Sequence, residues 1–100
     1  MSARDTITEF TMIPNVGKAT TADFHQLGLH HPKDLIGQDP YQMFARLEAI
    51  TGCHQDPCVI DVFIAAVRFM EGEDAQPWWH YTAERKAHLA NTKSSRARYI

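Results

Sequence analysis

The sequence predicts an all-α fold, a compact bundle of four or five short helices in a single domain. Three observations carry this expectation. Asp39-Pro40 and Asp56-Pro57 each open an apolar stretch that closes on a glycine, Gly52 and Gly72. That pattern pairs an N-cap and a proline in the first turn with a C-terminal glycine. Apolar residues recur in steps of three and four rather than in alternation. The one β-branched run, "CVIDVFIAAV", lies inside such an Asp-Pro and Gly frame and contains an Ala pair, which favours helix over strand.

Taken in order, "DTITEFTMI" predicts a short helix with Ile7, Phe10 and Ile13 on one side, capped by Asp5 or Thr6 and stopped by Pro14. "GKATTADFHQLGL" predicts a second helix from about Lys18, offering Ala22, Phe24 and Leu27 for burial and ending at Gly28. "HPKDLIG" reads as one short helical turn between Pro32 and Gly37. "DPYQMFARLEAITG" is the clearest helix, with Tyr41, Phe44, Leu47 and Ile50 along one face. The helix after Asp56-Pro57 is apolar almost all round from Val59 to Phe69, so it belongs at the centre. After the turn at Pro77 come Trp78, Trp79 and Tyr81, then a last helix over about 83–91. Residues 1–91 form the expected domain, and residues 92–100 a basic, flexible tail.

A chain of 100 residues with 44% apolar content suits one modest core. The net charge is −2, so no bulk basicity advertises a nucleic-acid partner. The charge is uneven: residues 1–83 hold five Lys/Arg against eleven Asp/Glu, and residues 84–100 hold Arg85, Lys86, Lys93, Arg96 and Arg98 against Glu84 alone. No apolar run reaches membrane-spanning length, and "MSARDTITEF" lacks the pattern of a signal peptide. Two cysteines, Cys53 and Cys58, make no disulfide framework. A cytoplasmic location with free thiols is the expectation.

The stretch "IPNVGKAT" carries the main functional signal. Asn15 and Gly17 flank Val16, an apolar residue able to plug the core from within a tight turn. Asn tolerates positive φ better than most residues. The helix that follows opens with amides lacking internal partners, and its dipole with Lys18 beside it favours an anion. "IPNVGKATTADFHQLGL" resembles a helix-hairpin-helix motif, with Ile13, Pro14, Val16, Gly17, Thr21, Phe24 and Leu27 in matching places. Asn15 replaces the usual first glycine, where its side chain either crowds a phosphate or bonds it. Thr21 replaces the usual alanine. Together with "DLIGQDPYQMFARLEAITG", "DPCVIDVFIAAVRFMEG" and "PWWHYTAERKA", the chain from about residue 6 to 90 resembles the small bacterial "pathogenicity locus" proteins, some relatives of which carry a mitomycin-resistance label.

That resemblance implies a helix-hairpin-helix bundle whose second unit, "HPKDLIGQDPYQMF", is degenerate, keeping Gly37 and Asp39-Pro40 as turn residues only. It also implies a non-enzymatic protein that binds DNA weakly and without sequence preference, duplex rather than single strand. The phosphate contacts would come from Asn15, Val16, Gly17, Lys18 and Ala19, with a monovalent cation at the hairpin carbonyls. Arg85, Lys86, Lys93, Arg96 and Arg98 would be auxiliary basic residues. The alternative is a protein-interaction or self-association module.

Other constellations have plainer explanations. Cys53, His54 and Cys58 with His80 or His88 lack the tight spacing of structural zinc sites, so no metal is expected. His25, His30 and His31 read as solvated residues around Gly28. Trp78, Trp79 and Tyr81 either stack on bases or close the core, and core closure is favoured. No nucleophile, base and acid spacing supports catalysis.

Overall fold

A computed structural model describes the backbone of residues 4–97 and the side chains of residues 4–91. Its four α-helices are α1 (Lys18–Gln26), α2 (Pro40–Thr51), α3 (Cys58–Met70) and α4 (Thr82–Ala97), with short 3-10 helices at Phe10–Met12, Pro32–Leu35 and Trp78–Tyr81. All regular structure among the described residues is helical, as the sequence predicts.

The centre is α3. Ile60, Asp61, Phe63, Ile64, Ala65, Ala66, Val67 and Met70 are all buried on it. It packs against α2, α4 and the 3-10 helices at Pro32–Leu35 and Trp78–Tyr81. Phe24 of α1 reaches Phe63 with ring centroids 5.6 Å apart, and Phe10 packs against Phe24 at 4.9 Å with the ring planes tilted by 52°. Pairs of this kind stabilise a core by about 0.5–1.5 kcal/mol beyond the area they bury. A smaller apolar cluster of Ile60, Ile64, Ala65 and Tyr81, with Leu89 against it, closes α4 over α3.

Four expectations are corrected. The first helix is only the 3-10 turn Phe10–Met12, preceded by a turn at 4–6. Phe10 and Ile13 are still buried, so the apolar spacing marked the core without making a full helix. In α2, Met43 rather than Ile50 completes the buried face; Ile50 is 52% exposed. The last helix runs to Ala97, past the expected end near Asn91. Ala22 of α1 is exposed, whereas Phe24 and Leu27 are buried.

The chain follows one local path twice, 22 residues apart. In the first pass Val16 N–H donates to Ile13 C=O (3.2 Å), Asn15 has φ 71°, and Gly17 is the N-cap of α1. In the second, Gln38 N–H donates to Leu35 C=O (3.1 Å), Gly37 has φ 82°, and Asp39 is the N-cap of α2. Ile13 and Leu35 anchor the two turns in the same apolar cluster. The second turn therefore keeps the geometry of the first, although its sequence has lost most of the pattern.

Candidate anion site at the mouth of the first helix

The two turns differ in what covers the helix that follows. At α2, Asp39 Oδ1 accepts from Tyr41 N–H (2.9 Å) and Gln42 N–H (3.4 Å). Gly37 N–H donates to Glu71 Oε2 at 3.1 Å. At α3, Asp56 Oδ1 accepts from Cys58 N–H at 2.9 Å. Both openings are filled by carboxylates, which meet the free amides and the positive end of the dipole at once.

The opening of α1 carries no such cap. Gly17 has no side chain to offer. Among the described residues, no acceptor meets the amides of Gly17, Lys18, Ala19 and Thr20; the first helical bond is from Thr21 N–H to Gly17 C=O at 3.0 Å. Gly17, Lys18 and Ala19 are exposed and Thr20 is half-buried. Lys18 forms no ion pair within the described residues. Gly17 has φ −109° and a Cβ built there would meet nothing within 4 Å. Neither backbone strain nor packing demands glycine at this position, so its effect is to leave the amide row uncovered.

Two expected site residues have other work. Val16 N–H is spent on Ile13 C=O, and its side chain is buried as a core plug. The open amide row thus runs from Gly17 to Thr20, against the expected Asn15 to Ala19, because Val16 closes the turn. Asn15 holds the positive φ with its side chain turned to the fold: Nδ2 donates to Gln76 C=O at 2.7 Å. That side-chain amide is thus engaged within the fold. Thr21 Oγ1 also donates to Gly17 C=O, at 2.8 Å, locking the first turn.

Arg85 leaves the set of auxiliary basic residues. Only 8% exposed, it donates through Nε to Asp61 Oδ1 (2.9 Å) and through Nη2 to Oδ2 (3.3 Å). Thr82 Oγ1 donates to the same Oδ2 at 2.7 Å. Asp61 is fully buried, and a buried carboxylate needs such partners. The helical spacing of Thr82 and Arg85 toward an Asp inside an apolar helix was the available signal for this pair. Lys86 is exposed on α4. The side chains of Lys93, Arg96 and Arg98 lie outside the described residues.

The remaining candidates separate as follows. Tyr81 is buried, Trp78 half-buried and Trp79 63% exposed, so the aromatic segment closes the core and leaves one ring outside. Cys53 and Cys58 are free thiols. Hydrogen bonding to the Asp56 carboxylate raises the Cys58 thiol above its usual range. Among the described residues no three His, Cys, Asp or Glu side chains are grouped to hold a metal ion. No helix there is long and apolar enough to cross a membrane.

Comparison with known proteins places the chain. The family profile described as "Pathogenicity locus" (Cdd1) matches residues 3–87. The chain is also similar to "Mitomycin resistance protein McrB" of Streptomyces lavendulae, 38% identical over 89 residues, covering 89% of this chain and 85% of that protein. No solved structure matches. The matched stretch covers both turns and α1 to α3, and with that coverage the chain belongs to the pathogenicity locus family.

Proposed function

We propose that this protein is a non-enzymatic, cytoplasmic helix-hairpin-helix protein that binds the DNA backbone weakly and without reading sequence, duplex in preference to single strand. The amides of Gly17, Lys18, Ala19 and Thr20 take one phosphate, and the Lys18 ammonium neutralises it. The single observation that supports this most is the uncapped, exposed opening of α1 beside two carboxylate-capped ones. Oriented amides at a helix N-terminus bind phosphate through hydrogen bonds and dipole together, and contacts of this type position a duplex without specifying bases.

Lys86 and the basic residues Lys93, Arg96 and Arg98 add long-range attraction. The acidic body opposes it. The segment gripped by Asn15 carries Glu71, Glu73 and Asp74; Glu71 is engaged by Gly37 N–H and Glu73 by Arg68 at 3.8 Å. Few phosphates are therefore neutralised, and affinity is modest. In the same reading a monovalent cation would be held by the carbonyls of Pro14, Asn15 and Val16, which accept no hydrogen bond among the described residues.

Fluorescence anisotropy with labelled duplex and single-stranded DNA at low salt tests this reading. Saturable duplex binding, weakened by Lys18→Glu, is the expected result. No binding of either DNA at about 100 µM protein, the weak end of ordinary non-specific association, rejects it.

The exposure of Trp79 (63%) and Ile50 (52%) favours a second reading, a protein-interaction or self-association module. Sedimentation discriminates: a strict monomer argues against self-association through these residues.

A further inference from the structure

Independently of that reading, the two imidazoles at the far end of α1 form an arrangement that neither the anion site nor the core requires. His25 Nδ1 and His30 Nδ1 lie 3.2 Å apart, with ring centroids 5.4 Å apart and planes at 36°. We propose that His25 and His30 bind a divalent transition-metal ion of the zinc type through their two Nδ1 atoms.

The separation itself supports this. Two imidazole nitrogens each about 2.1 Å from one zinc ion in tetrahedral geometry lie about 3.4 Å apart. In the metal-free protein the same spacing serves a single N–H···N hydrogen bond. Metal binding replaces that hydrogen bond: the ring that donated carries its proton on Nε2 instead, so both neutral imidazoles offer Nδ1 to the metal.

Both ligands are positioned by structure that does not depend on the metal. The His25 ring packs edge-on against Phe10, at 5.6 Å and 81°, and Phe10 is buried. His30 follows the turn that ends α1. There Gly28 has φ 83°, Gly28 N–H donates to His25 C=O (3.0 Å), and Leu29 N–H donates to Phe24 C=O (2.9 Å). This cap folds the chain back beside the last turn of the helix. Asp34 Oδ2 then fixes the backbone by accepting from His30 N–H at 3.0 Å.

The pair stands at an open cleft of about 280 Å³, whose other walls include Glu9, Thr8, Thr11 and Thr21. Glu9 adds a carboxylate to that cleft. With no third ligand converging among the described residues, water or an external donor completes the coordination. Imidazole suits Zn²⁺, Ni²⁺ and Cu²⁺ rather than Mg²⁺ or Ca²⁺.

Calorimetric titration of the full chain with zinc chloride tests the site. One saturable equivalent is expected, weakened about tenfold or more by His25→Ala and likewise by His30→Ala, and changed less than about twofold by Cys53→Ser or His54→Ala in the segment that follows α2. His30 is exposed, so its variant keeps the test valid should His25→Ala disturb Phe10. No saturable binding overturns the proposal, and so does binding that survives both His25→Ala and His30→Ala or depends on Cys53 or His54.

Discussion

Asn15 Nδ2 donates to the Gln76 carbonyl across 2.7 Å, tying the turn before α1 to the segment that leaves α3. The same residue carries the positive φ of the turn. One side chain thus does two jobs, and they can be separated. Asn15→Gly keeps the backbone freedom and loses the bond, costing about 0.5–1.5 kcal/mol. Asn15→Ala loses the bond and adds left-handed strain of about 1–2 kcal/mol. Chemical denaturation is expected to rank the alanine variant below the glycine variant. Equal stabilities would mean that the φ requirement is not real.

Asp61 and Arg85 act as a buried unit. Removing either partner strands a charge in the core, so Arg85→Ala is expected to cost about 3–5 kcal/mol. The double variant Asp61→Leu, Arg85→Met is expected to recover most of that loss. Urea melts of the three proteins check it, and a double variant as unstable as the single one contradicts it.

Asp34 makes stability depend on acid. Its Oδ2 accepts from His30 N–H and His31 N–H at 3.0 Å each, and these amides hold its carboxyl below the ordinary 3.8. A carboxyl lowered on folding adds stability that is complete above the ordinary value and is lost as pH falls through the lower one. The stability gap between the wild type and Asp34→Ala is therefore expected to be constant near neutrality and to shrink below about pH 4. Thermal melts across that range measure it; a gap that widens in acid would contradict the assignment.

Lys18→Glu is expected to weaken duplex binding about equally for unrelated sequences and to flatten the salt dependence by about one unit of slope. Anisotropy titrations at several salt concentrations read both. An unchanged slope would move the contact to Lys86 or the C-terminal basic residues.

Much of the frame was legible in the sequence because its signals are local. Asp39-Pro40 with Gly52, and Gly28 after Leu27, mark helix ends through their own backbone chemistry. The turn at Asn15 was legible for the same reason. What escaped depended on distant partners. Asp61 stands in an apolar helix with Arg85 24 residues away, so Arg85 read as a surface cation. Gln76, 61 residues from Asn15, gave no sign that it would take that side chain. The turn at Gly37 was legible as a degenerate second unit, but its match in geometry to the first was obscured because glycine holds the positive φ in one and the N-cap in the other. The row of open amides also differed from the expected Asn15 to Ala19, since the bond from Val16 to Ile13 is a detail of turn closure.

The binding proposal rests on the mouth of α1 being open where those of α2 and α3 are closed, and Gly17→Asp tests that most directly. An Asp there can cap α1 as Asp39 caps α2, in space where a Cβ meets nothing within 4 Å. A better cap and a favourable dipole contact together add about 0.5–1 kcal/mol, which raises Tm by about 2–8 °C in a chain of this size. The expected result of a duplex titration on this variant is loss of binding in a protein at least as stable as the wild type. Undiminished binding by a stable Gly17→Asp protein would show that phosphate does not enter at these amides.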